Sequence, residues 1–73
     1  MKLPILSGIK VIKALRKAGF EVDHQTGGHF ILRENKPPFR RAIVPNHKVV
    51  VPGTLLSILK QTGLSREEFL NLF

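Results

Sequence analysis

The sequence contains no cysteine, which excludes a disulfide framework and any thiolate metal site. It has no tryptophan and no tyrosine, and five phenylalanines are its only aromatic residues. A broad aromatic platform for stacking planar ligands is therefore not on offer. No segment approaches the roughly 18 apolar residues of a membrane-spanning helix. The opening MKLPIL is too short for a secretory apolar region, and Lys10 and Lys13 interrupt the residues after it. Acidic residues are few. Glu21, Asp23, Glu34, Glu67 and Glu68 are scattered along the chain, so no carboxylate cluster for a divalent cation is signalled.

Positive charge, by contrast, is in excess. Twelve Lys and Arg against five Asp and Glu leave a formal net charge of +7, which points to a polyanionic partner. Nucleic acid comes first, an acidic protein second and a membrane surface third, with plain solubility as the undemanding alternative. The chain has 73 residues, and at this size a fold buries about 60% of its unfolded surface, enough for one modest core. These features predict a single soluble domain over residues 1–73, and the lack of cysteine fits a reducing cytoplasm.

Residues 7–18, SGIKVIKALRKA, read as a helix: Ser7 suits the N-cap, Val11, Ile12, Leu15 and Ala18 recur with helical spacing, and Gly19 suits the C′ position. Its other side carries Lys10, Lys13 and Lys17 as a basic stripe. FEVDHQ alternates as a half-buried strand, GGHFILRE as a second and RRAIVP (40–45) as a third. NKPPF between the last two is a loop. PGTLLSILKQTG (52–63) is a helix with Pro52 at N1 and Gly63 at C′. Ser65 and Glu68 then form a capping box opening a short third helix, with Leu64 and Phe69 as its hydrophobic staple. The expected architecture is a two-layer α+β sandwich with both main helices on one sheet face.

His29 follows two glycines in QTGGHF, and the hairpin register decides its direction, since a one-residue slip sends every side chain to the other face. A two-residue loop at Thr26–Gly27 splits the apolar set Phe20, Val22, Phe30 and Leu32. A three-residue loop, Thr26–Gly27–Gly28, keeps all four on one face and sets Glu21 across from Arg33. This register predicts His29 on the face away from the helices, in line with Ile31 and Arg33, and His24 facing the core. The glycines leave His29 bare of neighbours and open to a large ligand. On spacing alone the plainer reading, an idle surface histidine beside a turn, also stands.

Two stretches, KALRKAGFEVDHQTGGHFIL and VPNHKVVVPGTLLSILKQTGLSREEF, carry a family resemblance. The first is similar to a helix, Gly-aromatic, strand and G-[SG]-H core, the second to a V-P-x-H, G-T-L, I-L-K-x-x-G-[LI] run. In this order and spacing they resemble the HicA, or YcfA-like, family of small bacterial and archaeal toxins. The resemblance implies an α-β-β-β-α fold like the double-stranded-RNA-binding domain. It also implies an mRNA interferase of a type II toxin–antitoxin system, restrained by a HicB-like antitoxin and needing no cofactor. The family's catalytic histidine falls on His29; Gly27 and Gly28 form the turn that presents it, and Gly28 stands where many members have serine. His47 matches the V-P-x-H histidine as a possible accessory residue.

RNA brings its own nucleophile, the 2′-hydroxyl. An imidazole is suited to moving the protons that its attack requires, and nearby cations stabilise the phosphate charge. The expected roles are therefore His29 as general acid or base, Arg33 and Arg41 as phosphate contacts, and no metal. Lys10, Lys13 and Lys17 are either an RNA track or a solvated helix face. Rival readings are a non-catalytic RNA-binding module of the same fold, or a basic protein that docks on an acidic partner.

Overall fold

Helix α1 (Gly8–Lys17) begins where its sequence predicts. Ser7 is extended and its Oγ accepts from the Lys10 N–H at 3.2 Å, satisfying one of the amides left unpaired at a helix start. The helix buries Val11, Ile12, Ala14 and Leu15, one apolar stripe of a 3.6-residue period. Ala18, expected in that stripe, is only partly buried, and Ala14 takes its place. Gly19 then turns the chain with φ of 92°, a conformation that costs glycine nothing.

The computed structural model describes residues 3–73; residues 1 and 2, the start of MKLPIL, lie outside that range. After α1 come β1 (Phe20–Thr26), β2 (His29–Glu34), β3 (Arg41–Pro45), α2 (Pro52–Thr62) and α3 (Arg66–Leu70). The strands form one antiparallel sheet in the order β1-β2-β3. This is the expected α+β arrangement, a double-stranded-RNA-binding-domain-like sandwich with a short C-terminal helix.

One sheet face is sealed. Phe20, Leu32, Ala42 and Val44 meet Val11, Ile12 and Leu15 of α1, Leu55, Ile58 and Leu59 of α2, and Phe69 of α3 in a single core. The remaining helix signals hold as well. Gly63 ends α2 with φ of 75°, and the capping box is complete: Glu68 N–H donates to Ser65 Oγ at 3.0 Å and Ser65 N–H to Glu68 Oε1 at 2.9 Å.

Other features arise only from packing. Gly8 sits against the end of β3, where a Cβ would overlap the Pro45 carbonyl oxygen, and its N–H donates to the His47 carbonyl at 2.9 Å. Glu34, one of the scattered acids, is buried at the end of β2. Its carboxylate accepts from the Arg40 N–H at 3.3 Å and lies 3.8 Å from the Arg40 guanidinium. That clasp closes the proline-containing loop between β2 and β3.

Two substitutions test this packing. Gly8→Ala forces a methyl group into a filled contact and is expected to cost about 1–3 kcal/mol, read as a lower denaturant midpoint. The hydrogen bonds from the Ser65 backbone, then from its side chain, hold the Glu68 carboxyl below its usual range. A lowered folded-state value gives stability that is present above the unfolded value and is lost as pH falls through the folded one. Glu68→Gln is therefore expected to lower the unfolding midpoint at pH 7, with the difference closing below about pH 4.

Candidate active site

The hairpin that carries His29 closes differently from the expected register. Thr26 pairs with His29, so the loop is the two residues Gly27 and Gly28, with Gly27 at φ of 54°. Farther from the turn, Val22 pairs with Leu32 and Glu21 with Arg33, as expected, and a bulge between Val22 and His24 absorbs the one-residue mismatch. Two preferences are met at once. Glycines close a short turn, the core demands Val22 and Leu32 on one face, and the bulge at Asp23 reconciles them.

The bulge also overturns the placement of His24. It lies opposite Ile31 on the outer sheet face and its side chain is 50% exposed; it does not face the core. Its Nδ1 lies 2.9 Å from Asp23 Oδ2. The hydrogen bond with His24, helped by the positive fields of Arg33 and Arg41, holds the Asp23 carboxyl below its usual range. An ionised carboxylate has no proton to give, so Nδ1–H is the donor.

His29 is exposed on the outer face, as the sequence predicts. A Cβ at Gly27 or Gly28 would meet nothing within 4 Å, so the ring stands beside open space. On the same face β2 carries Ile31 and Arg33, and β3 places Ile43 opposite Ile31 and Arg41 opposite Arg33. The two arginines face one another as like charges, and Glu21 lies across from Arg33 on its other side.

Beyond the edge of β3 the outer face runs into a concavity of about 500 Å³ lined by His29, Ile43 and Pro45 of the sheet, His47, Val49 and Val51 of the next segment, and Thr54, Ser57 and Gln61 of α2. Its walls are tied together. The Asn46 N–H donates to the Gly28 carbonyl at 2.7 Å, Gly8 holds the His47 carbonyl, and the Ile43 N–H at the sheet edge donates to Gln61 Oε1 at 2.8 Å. His29 and His47, distant in sequence, thus line one groove. A larger depression of about 810 Å³ between α2 and α3 contains no histidine, and its one carboxylate, Glu68, is engaged in the capping box.

The structure does not bring the lysine stripe to this face. Lys10, Lys13 and Lys17 project from α1, whose other side packs on the opposite sheet surface. There they line a separate groove with Leu72 and Phe73, and Lys17 Nζ donates to the Leu72 carbonyl at 2.9 Å. Phe39, in the loop between β2 and β3, and Phe73, after α3, are both exposed. Sequence reasoning missed Gln61 and the apolar wall Val49 and Val51; the run VVV after His47 was the one available signal. Among the described residues, no three His, Cys, Asp or Glu side chains are gathered to hold a metal ion, and no helix is long and apolar enough to cross a membrane.

No curated protein and no solved structure matches the chain. The sequence pattern of the family described as HicA toxin of bacterial toxin-antitoxin does match, over residues 8–64, from the first residue of α1 through Leu64 after α2. The matched stretch contains all three strands, His29 and His47, and the chain belongs to the HicA toxin family.

Proposed function

We propose that this chain is an mRNA interferase: a metal-independent endoribonuclease that acts in the cytoplasm with His29 as a proton-transfer residue. The observation that carries the reading is an exposed imidazole beside a bare glycine turn, on the same sheet face as two facing arginines. Membership of a toxin family supplies the setting.

The chemistry follows from those groups. A ribose 2′-hydroxyl attacks the adjacent phosphorus and the 5′-oxygen leaves, giving a 2′,3′-cyclic phosphate. His29 exchanges a proton with one of those two oxygens, and Arg33 and Arg41 stabilise the charge that builds on the phosphate. The apolar groove floor of Ile43, Val49 and Val51 suits sugar and base surfaces and offers no aromatic stacking. Lys10, Lys13 and Lys17 add long-range attraction for RNA from the other layer. The partner is a HicB-like antitoxin, whose acidic surface would cover the cationic sheet face and exclude RNA.

His29→Ala is expected to lower the cleavage rate of a mixed-sequence RNA by about 10²- to 10⁴-fold without moving the thermal midpoint, because the side chain is exposed. Cleavage is expected to persist in EDTA; a protein that shifts RNA under those conditions and never cuts it is a binding module instead. A single 2′-deoxy nucleotide at the scissile position is expected to block cutting, and continued cleavage there would exclude attack by the 2′-oxygen. Arg41→Ala is expected to weaken RNA binding and to flatten its dependence on log salt by about one unit if one phosphate contact is lost.

A further inference from the structure

A nuclease that breaks RNA through the 2′-oxygen moves two protons, and His29 accounts for one. We propose that His24 is the second proton-transfer residue of this site, oriented by Asp23. The inference rests on the ribonuclease reading of the outer sheet face and goes beyond it by assigning the proton donor.

Three observations carry it. The bulge at Asp23 turns His24 to the outer face, opposite Ile31, while His29 is opposite Thr26 on the same face. The two histidines therefore occupy a diagonal of one antiparallel pair, where backbone positions lie about 7–8 Å apart. A phosphodiester fits between rings at that spacing, with one ring toward the 2′-oxygen and the other toward the 5′-oxygen. Second, Asp23 accepts from His24 Nδ1 at 2.9 Å, which fixes the tautomer and leaves Nε2 to exchange a proton with a ligand. Third, both sit on strands, where backbone pairing limits their drift.

With Nδ1 engaged by Asp23, Nε2 is the atom of His24 that exchanges a proton; in this assignment His24 is the acid and His29 the base. His29 takes the 2′-hydroxyl proton as the 2′-oxygen bonds to phosphorus. The bond from phosphorus to the 5′-oxygen breaks, and that oxygen receives the Nε2 proton of His24. Each histidine ends in the other's starting state, and no water or metal is consumed. The titratable and charged groups facing the pair are Glu21 and Asp23 on β1, Arg33 on β2, Arg41 on β3 and, across the groove from His29, His47.

The test is single-turnover cleavage of a short RNA between about pH 5 and 9, a window around the imidazole pKa of roughly 6.5. The wild-type profile is expected to be bell-shaped. His24→Ala is expected to cut about 10²-fold more slowly or worse and to lose the alkaline limb. Asp23→Asn is expected to slow cutting of ordinary RNA but not of an RNA whose scissile 5′-oxygen is replaced by sulfur, a split that a purely structural aspartate would not produce. An RNA whose scissile 5′-oxygen is replaced by sulfur needs no proton donor, so His24→Ala is expected to cleave it at the wild-type rate while His29→Ala does not.

A His24→Ala protein with the wild-type rate and an intact bell overturns the proposal and leaves the nuclease reading standing. Loss of the alkaline limb in His47→Ala in place of His24→Ala also overturns it, assigning the acid to the groove wall. A wild-type protein that binds RNA and never cuts it overturns both.

Discussion

The burial of one sheet face beneath two helices is the constraint on which the rest of the molecule depends. Phe20, Leu32, Ala42 and Val44 are almost completely removed from water by α1, α2 and α3. At about 25 cal/mol per Å² of apolar surface, this is the dominant favourable term available to so short a chain. Because side chains alternate along a strand, fixing that face fixes the other. His29, Arg33 and Arg41 are outside because their neighbours must be inside.

The same constraint explains the bulge. A Gly-Gly turn favours a two-residue loop, and a two-residue loop at that point is out of step by one residue with the apolar pairing of Val22 and Leu32. The chain does not surrender core burial to keep a regular ladder, since an unpaired residue at an exposed sheet edge costs far less than an apolar set turned to water. The irregularity falls on Asp23, and its consequence is chemical. A histidine that the alternation would have placed inside is delivered to the cationic face, beside a carboxylate.

Charge is distributed under the same rule. Glu34 lies inside, clasping Arg40 across the loop; Glu67 and Glu68 lie in the first turn of α3, where the helix dipole favours them. That leaves Glu21 and Asp23 as the acids of the outer face, against Arg33 and Arg41. The lysines of α1 occupy the other layer, so the basic character of the chain is spread around the molecule. The arginine pair, His24 and His29 meet on one strand-built surface, with Glu21 and Asp23 beside them.

Much was legible in the residues themselves. Ser7, Gly19, Gly63 and the Ser65–Glu68 box act on their nearest neighbours, within one helical turn, and local signals of that kind survive folding unchanged. The alternation of Phe30 and Leu32 with His29 and Ile31 is equally local, and it placed His29 correctly. What tertiary structure decided involves partners far apart in the chain. Gly8 is glycine because Pro45 arrives against it, His47 joins His29 because Gly8 and Gly28 hold its segment, and Gln61 completes the exposed edge of β3. His24 changed faces because two local preferences disagreed by one residue, and that conflict is resolved by the core, whose demand is collective and belongs to no single stretch of sequence.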